Sequence, residues 1–177
     1  MSKGDENNMI EAINTLYDFN RKATEQVLAT AEKLTKEQWL ADQTAGRGSI
    51  RDTLVHLASG MRSWLTVWGG TLPPEEAARK NVDPDQFATV SDVRAFFRTV
   101  DAAVQGFIDK LTPAQLDEVR TRTTSAGVTS HLPLWQMMLA VNFHSMQHRS
   151  EVAAMLTAFG HSPGELGLTT FLPSRQP

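Results

Sequence analysis

No cysteine occurs in the 177 residues. Disulfides, thiolate metal sites and cysteine nucleophiles are thereby excluded, and any bound metal must rely on His, Asp, Glu or backbone groups. Basic runs are missing too. With a net charge of -3 and no cluster of Lys and Arg, the chain lacks the electrostatic footprint of a nucleic-acid binder. No apolar run approaches the roughly 18 residues of a membrane span. The opening MSKGDENNMI has no apolar core of a secretory signal. A cytoplasmic protein with neither a nucleic acid nor a membrane as partner is the expectation. Neither internal repeats nor low-complexity segments are present.

What remains is ordinary soluble material, 41% hydrophobic and 21% charged. The length suits one domain, 1–177, with a sizeable core. Four long stretches carry helical period. The first runs from about Asp5 to Leu34, with Ile10, Ile13, Tyr17, Val27 and Leu28 recurring at steps of three and four. TAGRGS, from Thr44 to Ser49, breaks it with two glycines. Ser49, with Asp52 in the N3 position, reads as the cap of a second helix that carries Leu54, Leu57, Met61, Trp64, Leu65 and Trp68. Gly69-Gly70 ends it. A long irregular connection with Pro73, Pro74 and Pro84 follows, with room for a short helix around Glu75 to Arg79.

Ser91 reads as the cap of a third helix, with Asp92 at the positive end of its dipole. Phe96, Phe97, Val100, Val104 and Ile108 form its stripe, and Thr112-Pro113 starts an extra turn. Residues 119–132, rich in Thr and Val, fit a short hairpin or an extended crossover. Pro133 suits the first turn of a fourth helix running to about Phe159. The tail reads as a loop. The expectation is an all-α four-helix bundle with a long 2–3 connection and an irregular crossover before the last helix.

The fourth helix holds an oddity. NFHSMQHRSEVAAML places His144 and His148 four apart. On a wheel at about 100° per residue they fall with Met137, Val141 and Met155 inside about 60° of arc. Gln147, Arg149 and Ser150 point elsewhere. Residues four apart are side-chain neighbours and can converge on one ion. Two buried neutral imidazoles otherwise leave ring nitrogens that each cost about 1–3 kcal/mol if unpaired. Two structural histidines with buried partners remain the alternative. His56 is the candidate third ligand. It lies roughly 120° off the main stripe of the second helix. Its flank holds the small residues Ser49, Thr53, Gly60 and Ser63, which would let another helix come close. His131 and His161 sit beside chain breakers and read as surface residues.

The pattern resembles the DinB-like superfamily of four-helix-bundle proteins, which includes metal-dependent bacterial thiol S-transferases. The carrying residues are His56 and Trp64 in SIRDTLVHLASGMRSW, and His144, His148 and Arg149 in HSMQHRSEVAAMLTAFG, with the Gly48-Ser49 entry and the tail TTFL. The resemblance spans about Ile10 to Leu172. It implies an up-down-down-up topology, a divalent metal on His56, His144 and His148, open coordination positions and a homodimer. Ser150-Glu151 departs from the Gly-Gln that relatives often carry. Glu151 is then a candidate to bond a ligand imidazole, or else a solvated edge residue. Asn20, Arg149 and Trp64 are further site neighbours to test, as is Asn142.

Zn²⁺ on three neutral imidazoles keeps an open position. Ni²⁺ suits the same ligands, and Fe or Mn are compatible. Three functions fit: a transferase using a low-molecular-weight thiol, a metal-dependent hydrolase of a small substrate, and a non-catalytic stress-related metal-binding or scaffold protein. The transferase would want cations for the thiol's carboxylates. Arg62, Arg149 and Arg175 are candidates that also read as surface charges. Trp64 and Trp68 would line a pocket, a dimer seam or simply the core.

Overall fold

Burying the four apolar stripes against one another builds the architecture. The computed structural model describes residues 3–124 and 126–172. The long helices are α1 (Lys3–Ala31), α3 (Ile50–Trp68), α5 (Val90–Ile108) and α7 (Leu134–Ala158). Short helices α2 (Lys36–Leu40), α4 (Pro74–Ala78), α6 (Pro113–Asp117) and α8 (Leu168–Phe171) fill the connections, with a 3-10 turn at Pro84–Gln86. Strands β1 (Val119–Thr123) and β2 (Thr129–Pro133) pair antiparallel, Val119 opposite Pro133 and Thr123 opposite Thr129.

Contacts fix the direction of each long helix. Tyr17 Oη donates to Met138 O at 3.0 Å, and further along α1 the Gln26 amide donates to Pro163 O, just past α7. So α1 and α7 run the same way. Gln105 donates to Asn14 and Arg94 pairs with Glu25, so α5 opposes α1. Arg51 meets Asp85 at one end and Trp68 stacks on Phe107 at the other, so α3 runs with α5. The order is up-down-down-up. α1 and α3 therefore lie across one diagonal and α5 and α7 across the other, so that α3 packs on α7 and α5 while α1 packs on the same two. The core between them holds Trp68, Ile13, Leu54, Leu65, Met137 and Leu156, each under 2% exposed. No helix among the described residues is long and apolar enough to cross a membrane.

The helix ends follow local chemistry. Ser49 and Asp52 form the expected reciprocal capping box, and Gly69 closes α3 at φ 89°, a conformation that costs a side-chain-bearing residue. The cap of α5 is Thr89 rather than Ser91. Thr89 is extended, its hydroxyl accepts from Asp92 N at 3.2 Å, and the Asp92 carboxylate accepts from Thr89 N at 2.8 Å. The box needs the acid three residues after the cap, the same spacing as Ser49 and Asp52. Helix α1 ends at Ala31, not near Leu34, because Thr35 and Gln38 box a separate five-residue helix that buries Trp39. Five residues are too few to show a period. Pro133 stays extended at ψ 144° as the residue before α7, since it still pairs with Val119. In the tail α8 is helical, and its Phe171 meets Phe19 edge-on at 5.4 Å.

Candidate metal centre

Antiparallel packing of α3 on α7 sets His56 opposite His144 and His148. The small residues of α3 make that approach close. Thr53 is fully buried, and a Cβ added at Gly60 would lie 3.5 Å from His144 Cε1. One turn of helix separates His144 from His148, so both imidazoles reach the same seam.

The three rings form a tight cluster. Their centroids are 4.5 Å apart for His144 and His148, 4.8 Å for His56 and His148, and 5.4 Å for His56 and His144. One ring nitrogen from each lies within 4.8 Å of the others. His148 Nε2 faces His144 Nε2 at 3.2 Å, while His148 Nδ1 faces Glu151 Oε2 at 2.6 Å. The carboxylate accepts from Nδ1–H, which fixes the tautomer and turns the bare Nε2 into the cluster. Gln147 donates to the other Glu151 oxygen at 3.0 Å. Glu151 is thus engaged with the cluster, and its partner is His148 rather than the His144 nearer to it on the wheel.

The surroundings favour the neutral form of two of the imidazoles, His56 and His144. Burial pushes the His56 pKa down to about 4, helped by the charge of Arg47 and by the other two histidines. Burial also lowers His144, with His148 and Arg122 adding to it. For Glu151 burial works upward, but bonds from Gln147 and His148 outweigh it and hold the carboxyl below its ordinary range. The donor set is three imidazoles, with burial favouring the neutral form at His56 and His144. Two nitrogens bound to one tetrahedral Zn²⁺ at about 2.0–2.1 Å would stand about 3.3 Å apart, close to the Nε2 pair of α7. The residues fit a divalent ion of imidazole preference.

The other sequence candidates fall elsewhere. Arg149 is no surface charge: it is 3% exposed, donates to Asn20 Oδ1 and lies 5.5 Å from the Phe19 ring centroid. Asn20 and Arg149 thus meet each other between α1 and α7. Arg62 is also drawn in, because α4 folds back and offers it the carboxylate of Glu76 and the carbonyl of Arg79. Arg175 lies outside the described residues. Asn142 donates to Met138 O within α7. Trp68 is core, against Tyr17 and Phe107. Trp64 is half-buried under the Arg122 guanidinium, 3.9 Å from its ring centroid. His131 is exposed on β2, bonded to Thr121 across the hairpin. His161 lies half-buried just after α7.

Sequence reasoning missed Arg47 and Arg122, whose charges reach the histidines. A signal existed for Arg122. Alternation in VRTRT puts Arg120 and Arg122 on the inward face of β1 once the hairpin is accepted. Arg47, between the glycines of TAGRGS, carried none.

A sequence model of the DinB family matches residues 6–176. No curated protein matches the chain by sequence. Among solved structures, a DinB-like protein from Bacillus cereus is similar at a TM-score of 0.69 and 14% identity, over 88% of this chain and 95% of that one. YfiT from Bacillus subtilis is similar at a TM-score of 0.60 and 17% identity, over 92% of this chain and 91% of its own. YfiT is described as a probable metal-dependent hydrolase with an unusual four-helix bundle topology. At these identities the likeness to both is one of fold.

Proposed function

The chain belongs to the DinB family, and from that premise we propose that it is a divalent-metal-dependent transferase using a low-molecular-weight thiol, with His56, His144 and His148 as the metal ligands. The observation that carries the reading is the Nε2 pair of α7 at 3.2 Å with His56 beside it, the three donor nitrogens within 4.8 Å of one another. A bound Zn²⁺ or Ni²⁺ would supply Lewis acidity that favours the thiolate form of a small thiol. The chain's own residues do the rest. Glu151 orients His148, burial keeps His56 and His144 unprotonated, and the α3–α7 seam holds the three donors in place. In the transfer itself the thiol sulfur bonds to an electrophilic carbon, the leaving group departs with the bonding electrons, and the thiol proton passes to solvent.

The thiol reading is preferred to hydrolysis because Glu151, the one carboxylate bonded to the cluster, is already committed to His148 and Gln147. Hydrolysis needs a free acid or base beside the reacting water. YfiT's description favours hydrolysis as the second reading.

Elemental analysis of untagged protein tests the metal, and about one divalent ion per chain is expected. Loss of free thiol in the presence of a small electrophile then tests the reaction. Metal-dependent thiol consumption with a conjugate product supports the transferase. Ester or amide cleavage without thiol favours the hydrolase, and no metal uptake after reloading with Zn²⁺ or Ni²⁺ overturns both.

A further inference from the structure

Arginines in this fold are normally spoken for. Arg21, Arg51, Arg62, Arg94 and Arg120 each meet a carboxylate within 3.2 Å. Arg47 and Arg122 meet none among the described residues, yet the charge of Arg47 reaches His56 and that of Arg122 reaches His144.

Their placement is built by the fold. The Arg47 backbone N–H donates to Thr53 Oγ1 at 2.9 Å, one turn of α3 before His56. The turn is pinned there, since a Cβ at Gly46, φ 72°, would come within 2.5 Å of Thr53 Oγ1 and 3.1 Å of Met155 on α7. Further along the same helix Arg122 lies over Trp64, two turns of α3 after His56. Stacking restricts the guanidinium and leaves its edge free to donate. Thr53 and Trp64 are about 16 Å apart along the helix axis, with the histidines between them. Glu151 is the acid closest at hand, and its oxygens already accept from His148 and Gln147. The α3–α7 seam therefore feels a cation from each side of His56 before any metal binds.

We propose that Arg47 and Arg122 form an anion-recognition rim on the metal centre, so that the substrate is a small carboxylate-bearing molecule oriented by the Arg122–Trp64 platform. The inference rests on the metal reading for its reaction but not for its binding. Arg122 acts as the main anchor, because it is half-buried and stacked, and Arg47 as the weaker, exposed one. Two guanidinium groups flanking one site would select carboxylates over neutral isosteres, since a neutral ligand leaves both without an acceptor.

The test titrates zinc-loaded protein with succinate and, separately, with its neutral analogue succinamide. Calorimetry and tryptophan fluorescence report binding, and elemental analysis reports zinc in each sample. Succinate should bind about tenfold or more tighter than succinamide. Arg122→Gln should weaken succinate about tenfold, and Arg47→Gln by about threefold. Both variants should keep their zinc, and Arg98→Gln on α5 should match wild type. Equal succinate affinity in wild type and both rim variants overturns the proposal, as does absence of succinate binding to wild type. A protein that takes up no zinc but still prefers succinate through Arg122 sinks the metal reading and leaves the rim standing. Zinc uptake with unchanged succinate affinity in the variants does the reverse.

Discussion

Helix α7 buries polar groups in two directions, and the two regions are resolved in opposite ways. Toward α1 the Arg149 guanidinium is enclosed, but protein atoms answer it: Asn20 accepts from it, Asp101 lends charge, and Phe19 lies beside it. Toward α3 the imidazoles of His144 and His148 face each other and His56. Among the described residues only one cluster nitrogen, His148 Nδ1, meets an acid. A buried polar group with its own partners is architecture. Three imidazoles gathered within 4.8 Å of one another are a donor set suited to a cation. Adjacent residues, His148 and Arg149, thus belong to different functions.

Removing a histidine draws the contrast most sharply. We expect His148→Ala to lower affinity for Zn²⁺ on the order of a thousandfold, beyond the 10–100-fold that an outer partner of a ligand costs. His56→Ala should behave alike. Competition against a fluorescent chelator measures both, and the metal-free variants should unfold within about 1 kcal/mol of wild type. The opposite pattern is expected across the helix. Arg149→Ala strands Asn20 and takes from Asp101 one of the two cations that act on it, so it should cost about 3 kcal/mol in urea unfolding while one Zn²⁺ per chain still binds. Metal loss in Arg149→Ala with stability intact would erase the distinction between the regions.

How legible this was depended on the kind of signal. The four long helices were readable because their stripes repeat over many turns, and the spacing of His144 and His148 announced a shared seam. The partner across the seam was not readable by period. His56 lies off its own main stripe, and only the small residues beside it and the family pattern pointed there. Arg149 was misread as a surface charge because a wheel gives direction but not what packs in that direction; Asn20 lies 129 residues away. The rim arginines were missed for a related reason. Arg122 depends on a hairpin too short to read firmly, and Arg47 on a glycine turn whose course is set by contact with Thr53 and Met155.

Glu151 supplies a subtler test. Its carboxylate bonds His148 Nδ1 at 2.6 Å. Glu151→Ala should weaken Zn²⁺ by about 10–100-fold, because nothing then fixes the tautomer. Glu151→Gln keeps an acceptor and loses only charge, so its effect should sit near the lower end. Equal losses in both would assign the role to charge rather than orientation.

The smallest effect separates the regions by pH. Burial raises the Asp101 carboxyl to about 6, against the pull of Arg21 and Arg149. The native state then holds a proton that the unfolded chain, with its ordinary value of 3.8, releases. Stability from this group is full below about pH 4 and is lost as pH rises toward 6. His56 in the metal-free protein works the other way. Its native value of about 4 lies below the ordinary 6.5, so its contribution is full above 6.5 and is lost as pH falls toward 4. The two slopes oppose each other across one window and partly cancel. In chelator-treated protein Asp101→Asn should expose the histidine slope, so that stability falls more steeply from pH 6.5 to 4 than in wild type. His56→Ala should expose the aspartate slope, with stability rising over the same fall in pH. Each change should amount to about 1 kcal/mol, since both side chains are partly open to solvent that screens them. Urea midpoints at half-unit steps of pH read both, and parallel curves for the two variants would mean that neither group titrates where its surroundings place it.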